Sequence, residues 1–415
     1  MTTVTITEDP LAFEDFLAIV DGAQVALSDE VRAVIESSRA VVDRALVSKA
    51  AVYGLTTQVG HGKDTRLTEE EIRRKQMFLV MTHSGGVGPS LPTPQVRAAL
   101  AVRLNGIARG GSGASVAVAD VLAAMLNAGV HPVVPEIASV GAADLGHMAG
   151  MAQVAIGQGQ AEYRGELLSG GEALKRAGIT PLVLSGKDGL ALISANGVSI
   201  GHAALVVARA ERVTGAAEVA AALSMEATLA NPSIIHPAVG RAKPIPGQVH
   251  SVDHLQKLLA GSAQLEPGAA KSVQDALSFR VVPQVHGAHR EYVTAARNAV
   301  TTELNASDDN PLASMTDQAM ISNGNFHPNS MCSALAQMRR YAWSMRQLRR
   351  RIRSRMRFTG HCGSAFRRLS ASDTRPSGWR VGSQPTAEVR HRERQRAPLG
   401  RVDQTFFEQG VSRRR

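Results

Sequence analysis

The sequence predicts a mainly α-helical protein with a helical bundle in its second half. Three observations carry that expectation: long Ala, Val and Leu runs at helical spacing, an aromatic content of only 4%, and glycine- or proline-bearing turns between the runs. A β-sandwich would need more aromatic residues and regular alternation. The chain, 415 residues and 44% hydrophobic, is long enough to bury a large core.

Taken in order, the chain first presents a short apolar start. Ser28 then reads as the N-cap of a helix over 29–46, where Val31, Val34, Ile35, Val41, Val42 and Leu46 recur at helical spacing. Residues 52–64 are crowded with Gly and Thr and predict a loop of the kind that carries ligands. A second helix, over 68–82, stops at His83-Ser84-Gly85-Gly86. Two apolar helices follow, over 94–107 and 115–127. Residues 131–147 show neither helical nor strand period, and Pro132 and Pro135 hold them extended as far as a turn at Gly141. Beyond residue 180 the clearest helices cover 190–213 and 216–230, with turns near Pro232, Pro244, Pro246 and Pro267. From about Met338 the pattern changes to Arg, Ser, Gly, Pro and Gln.

The formal net charge of +10 conceals a split. Residues 339–415 hold 21 Arg, no Lys and 5 acids, whereas the other 338 residues carry 25 Lys and Arg against 31 Asp and Glu. The body is therefore mildly acidic, which excludes nucleic-acid binding over its whole surface and leaves salt-sensitive phosphate contacts through the tail as a lesser alternative. Cys332 and Cys362 are too few for a disulfide framework. The N-terminus lacks a basic and then apolar export signal, so a cytoplasmic location is expected. No run of about 18 apolar residues escapes interruption by Gly, Pro, His or charge, and no membrane partner is expected.

Generic motifs yield little. Gly110-Gly111-Ser112-Gly113 lacks the lysine of a phosphate loop and does not follow a predicted strand. His131, His147, His250, His254, His286 and His289 are not paired with acids at zinc-site spacing, so no metal is expected. Read singly, Tyr53 is a packing aromatic, His83 a partner of a helix C-terminus, Arg280 an interhelical ion pair and Phe326 a core residue.

Six segments in order change that reading: VYGLTTQVG at 52–60, LNAGVHPVVPE at 126–136, SVGAADLGHMA at 139–149, QDALSFRVVPQVHGA at 274–288, ELNASDDNP at 303–311 and SNGNFH at 322–327. Together they resemble the histidine and aromatic amino-acid ammonia-lyases over residues 15–330. The resemblance implies an N-terminal catalytic-loop domain (1–200) and a long central helical bundle, here incomplete (201–335), followed by an Arg-rich non-homologous tail (336–415) expected to be disordered. It also implies a cytoplasmic homotetramer in which each active site draws on three subunits. The small-molecule partner would be an amino acid such as histidine, phenylalanine or tyrosine. Such enzymes must remove a weakly acidic β-proton and expel a poor leaving group, and they do so with a base and an electrophile, methylidene-imidazolone, built from an internal Ala-Ser-Gly.

By resemblance, Tyr53 takes the position of the catalytic base and Arg280 that of the arginine binding the substrate carboxylate, a task suited to a planar bidentate donor. His83, Asn196 and Phe326 fall at substrate-binding positions. The departures are as informative. Where the family reads Ser-Val-Gly-Ala-Ser-Gly-Asp-Leu, this chain reads Ser139-Val140-Gly141-Ala142-Ala143-Asp144-Leu145, one residue shorter and with Ala143 in the serine slot. Ala142, Ala143 and Asp144 thus form a degenerate cofactor motif. No cofactor is expected, since a methyl group has no hydroxyl to eliminate and Ser139 is followed by the branched Val140. The family's asparagine aligns with Ser194, two residues from Asn196, and its second tyrosine aligns with Leu277. The mixture after about Met331 is what an out-of-frame reading of a GC-rich gene yields. The expectation is an ammonia-lyase by ancestry, histidine favoured, with activity impaired or lost. The alternative is a non-catalytic subunit that assembles with an intact paralogue.

Overall fold

The computed structural model describes residues 2–342. Residues 343–415, which hold most of the Arg-rich tail, lie outside the described residues. Strand β1 (Thr3–Ile6) pairs in parallel with β2 (Gln24–Leu27) across helix α1 (Phe13–Val20). Helix α2 (Asp29–Val47) starts where the sequence places it, with Ser28 Oγ accepting from the Val31 amide at 3.3 Å. After the loop that carries Tyr53, α3 (Glu69–His83) opens with a reciprocal capping box between Thr68 and Glu71. Next come β3 (Val87–Ser90), the largely buried α4 (Thr93–Ala108) and α5 (Val116–Ala128). Gly129 closes α5 at φ +74°, a left-handed cap that suits glycine.

The irregular stretch after Gly129 contains two short strands, β4 (Val130–Pro132) and β5 (Pro135–Ile137). Strand β4 joins β6 (Gln160–Tyr163) and β7 (Glu166–Ser169) in an antiparallel sheet, and β5 pairs with β3. Three residues cannot display a period, so partners distant in sequence decide these strands. Helices α6 (Leu145–Ala155) and α7 (Gly170–Arg176) lead to α8 (Asp188–Ile193) and the long α9 (Gly197–Thr228). The sequence suggests helices over 190–213 and 216–230. The interruption instead lies at Ser194–Asn196, and α9 runs unbroken through Gly215 because Thr214 and Glu218 are buried beside it. Packing outweighs the cost of about 1 kcal/mol that a mid-helix glycine carries.

The remaining helices are α10 (Pro237–Ala242), α11 (Pro246–Leu258), α12 (Leu277–Arg280) and α13 (Val282–Leu304), followed by the hairpin β8 (Leu312–Ser314) and β9 (Ala319–Ile321). A further helix occupies 329–342. It carries helical structure past 335, where the sequence sets the start of a disordered tail, because Met338 is buried and Tyr341 donates to the Val285 carbonyl at 2.9 Å. The 200/201 boundary likewise falls inside α9. Helices α4, α9 and α13 pack together through residues such as Leu100, Leu104, Val207, Val293 and Val300. Among the described residues one helical stretch, 188–228, is long and apolar enough to cross a membrane, but 78% of its most apolar window is buried inside the fold.

Three helices of the bundle are cross-braced by one carboxylate. Glu218 of α9, fully buried, accepts from Ser251 Oγ (2.6 Å) and His254 Nδ1 (2.5 Å) of α11 and from Arg290 Nε (3.0 Å) of α13. Burial alone would raise its pKa, but the hydrogen bonds from Arg290, Ser251 and His254 prevail and hold it at about 2. Its stabilisation is therefore present above the ordinary glutamate range and lost as pH falls toward 2. Glu218→Ala should lower the unfolding free energy at neutral pH by about 3 kcal/mol, because Arg290 would lose its buried partner. Denaturant unfolding of the two proteins checks this.

Candidate active site at the α8–α9 break

The site is built around a buried ionic cluster. Arg103 projects from the apolar helix α4 and is only 1% exposed. It meets Asp309 through Nη2 at 2.9 Å to Oδ1 and Nη1 at 3.1 Å to Oδ2, and reaches Asp308 Oδ1 at 3.4 Å. Lys187, just before α8, donates to Asp309 Oδ1 at 3.3 Å and to the Ser112 carbonyl at 2.7 Å. Burial lowers the Lys187 pKa. Asp308 turns its second oxygen to the backbone amide of Asn196, at 2.5 Å. Burial raises the Asp308 pKa to about 6, with Arg103 pulling the other way.

That amide marks the break between α8 and α9, and the break holds the 142–144 turn. The Ala195 carbonyl accepts from the Asp144 amide at 2.9 Å. The Asp144 carboxylate accepts from the Ser199 amide (2.7 Å) and hydroxyl (2.8 Å), so it caps the first turn of α9 while its own residue starts α6. Asn196 is 2% exposed and its side-chain nitrogen has no partner among the described residues.

The turn itself is tight. Gly141 has φ +83°, and Ala143, 8% exposed, has φ +55°, a left-handed conformation that costs an alanine about 1 kcal/mol. Ser139 Oγ closes the turn by accepting from the Gly141 amide at 3.2 Å and donating to the Ala143 carbonyl at 3.1 Å. Side chains 140–143 carry no oxygen or sulfur. Ala143 directly precedes the aspartate, as glycine does in the resembling motif, and its backbone is the kind glycine favours.

Three other expected residues lie on segments that pack at this break or are tied to the ionic cluster. The Tyr53 loop packs there through Gly54, where an added Cβ would come within 2.7 Å of Leu190 Cδ2 of α8. Tyr53 accepts a hydrogen bond on its phenol oxygen from the Gly60 amide at 3.2 Å. His83 ends α3 with Nδ1 on the Leu79 carbonyl at 2.9 Å, and the Gly85-Gly86 backbone beyond it abuts the 137–138 segment and Gly146. Phe326 follows β9 on a segment tied to the ionic cluster by Asn323 Nδ2, which donates to the Asp309 carbonyl at 3.0 Å; its ring lies 5.4 Å from that of His327.

Arg280 is not brought there. It precedes α13, whose 23 residues span about 35 Å, whereas the ionic cluster follows the far end of that helix. Arg280 lines a cleft of about 370 Å³ with Asn231, Asp275 and Gln284, and the Gln274 amide oxygen, when turned to face it, accepts from the guanidinium. Among the described residues no carboxylate forms an ion pair with Arg280, so it is not the interhelical ion pair that the residue alone suggests. Leu277 is 54% exposed.

With this geometry established, comparison with known proteins is decisive. The family model for aromatic amino acid lyases matches residues 11–360. The chain belongs to that family. It is 42% identical over 318 residues to a probable histidine ammonia-lyase of Halobacterium salinarum, a match covering 74% of this chain and 61% of the relative. A histidine ammonia-lyase of Anaeromyxobacter sp. is 39% identical over 348 residues, 81% of this chain and 68% of the relative. Among solved structures, histidine ammonia-lyase from Trypanosoma cruzi matches with TM-score 0.74 and 32% identity over 81% of this chain and 63% of that one. Ergothionase from Treponema denticola matches with TM-score 0.78 and 27% identity over 82% and 69%. The mainly α-helical lyase fold is thus the fold of this chain. The family match extends past the point near residue 330 where likeness fades to the eye.

The roles of Arg103, Asp308, Asp309, Lys187 and Ser199 are not readable from the motifs, although an arginine inside an apolar helix and adjacent aspartates in ELNASDDNP are the available signals. The raised Asp308 pKa has a measurable consequence. A carboxyl group whose folded pKa exceeds its unfolded value stabilises most below about pH 4, and that contribution is lost as pH rises through 6. The native chain should therefore lose up to about 3 kcal/mol between pH 4 and 7 relative to Asp308→Asn, as read from paired denaturant titrations.

Proposed function

We propose that this chain is an ammonia-lyase of the histidine-acting branch by descent, with Tyr53 at the position of the base, His83, Asn196 and Phe326 at substrate-binding positions, and no capacity to form the family's electrophile. The observation that carries this reading is the absence of any side-chain oxygen between Val140 and Ala143. The one nearby hydroxyl, of Ser139, is engaged in holding the turn, and the Asp144 amide, which follows Ala143, is bonded to the Ala195 carbonyl. These residues do not fit methylidene-imidazolone, which needs a hydroxyl to lose and an amide to close the ring. Without that electrophile the amine remains a poor leaving group.

The substrate preference rests on the relatives, several of which are histidine ammonia-lyases at 35–42% identity, and on His83 at the end of α3. The chain spans 61% of the Halobacterium relative, so the reading concerns the portion that carries the turn. Arg280 is separated from the ionic cluster by the length of α13, about 35 Å, which favours its meeting Tyr53 of another chain. Val206, Val213, Val219 and Leu223 expose an apolar strip of α9 to which a neighbouring chain could pack. Both features support an oligomer, of copies of this chain or with an intact lyase.

Purified full-length chain incubated with histidine, phenylalanine or tyrosine should release no urocanate, cinnamate or coumarate above a blank. Accumulation of any of these with time and enzyme concentration would refute the proposed loss of activity.

A further inference from the structure

A buried lysine beside the Tyr53 loop is used by nothing described so far. Lys75 of α3 is 8% exposed, and its ammonium donates to the Thr57 carbonyl. The loop is otherwise tied mainly to itself. The amides of Leu55, Thr56 and Thr57 all point to the Val52 carbonyl at 3.0–3.2 Å, Thr56 Oγ1 accepts from the Val52 amide at 2.8 Å, and Gln58 donates to the Thr65 carbonyl at 3.0 Å. On one flank Val52 and Leu55 enter a small apolar cluster with Val41, Val42 and Ala313. On the other, Lys75 supplies the one side-chain hydrogen bond that reaches residues 50–60 from outside segment 49–68, among the described residues.

The next residue completes the arrangement. Gln76 Oε1 accepts from the Leu190 amide of α8 at 3.0 Å, so consecutive residues of α3 hold the Tyr53 loop and the helix leading to Asn196. We propose that Lys75 is a positioning residue for the Tyr53 loop, its ammonium pinning the Thr57 carbonyl to α3, and that loss of this charge loosens the loop. The functional weight of the pin rests on the reading of Tyr53 as the family's base. The pin itself does not.

Charged groups on the surrounding elements are engaged elsewhere. Asp188 of α8 accepts from Ser115, Ser185 and Arg39; Glu71 of α3 closes the capping box; Arg74 pairs with Glu70 at 2.7 Å and Lys63 with Asp64 at 2.9 Å. Arg66 donates to the Lys49 carbonyl, and His147 of α6 bonds to the Glu136 carbonyl. Burial without a compensating carboxylate brings the Lys75 pKa down to about 8. Below that pH the carbonyl receives a charge-assisted hydrogen bond and above it a weaker neutral one.

Amide hydrogen exchange on the full chain tests the pin without requiring turnover. After correction for intrinsic rates, protection of the Leu55, Thr56 and Thr57 amides should fall about fivefold to tenfold between pH 6.5 and 9.5, while α13 amides hold steady. Lys75→Met should show the lower protection at both pH values, and Lys75→Arg, always charged, the higher. Loop protection in the native chain that follows α13 at every pH would overturn the proposal, as would a Lys75→Met loop indistinguishable from native. The exchange readout needs no turnover, so release of product by the native chain would overturn the proposed function and leave the pin to stand or fall on loop protection alone.

Discussion

The structure depends on charges placed where water cannot reach them. Arg103 and Lys187 are desolvated, and only Asp308 and Asp309 make that tolerable. Replacing any one of the four would leave an uncompensated charge, so the cluster can exist in few arrangements. Its geometry passes outward through hydrogen bonds: Asp308 fixes the Asn196 amide, the chain break at 194–196 presents the Ala195 carbonyl, and that carbonyl holds Asp144. The 139–144 turn therefore sits on a rigid foundation. The turn carries one alanine, Ala143, in a left-handed conformation.

This division separates what holds the fold from what shapes the 139–144 turn. Helices α4, α9 and α13 bury a large apolar surface, which stabilises the fold whatever residue occupies position 143. The turn needs no hydroxyl at position 143 to keep its shape, because Ser139 and Asp144 hold it from its two ends.

Much of the fold was legible in advance. Ser28 announced its helix through capping chemistry, and the apolar spacing of α2, α4 and α5 gave bounds within one or two residues; Thr68, read as the first helical residue, is instead the N-cap. Legibility failed where distant contacts decide. The break at 194–196 is stabilised by Asp308, more than a hundred residues away, and α9 passes through Gly215 because Glu218 gathers donors from α11 and α13. The same holds at the site. Motifs located Tyr53, His83, Asn196 and the 142–144 turn, which the fold gathers around one break, but not the ionic cluster beneath them or the distance that separates Arg280 from them in a single chain.

The central claim is that residues 139–144 remain an ordinary peptide. High-resolution mass spectrometry of the proteolytic fragment spanning 138–145, taken from protein purified under native conditions, tests it directly. The account requires the mass calculated from the unmodified sequence. A fragment lighter by two waters, one for ring closure and one for the eliminated hydroxyl, and resistant to cleavage within the turn would contradict it.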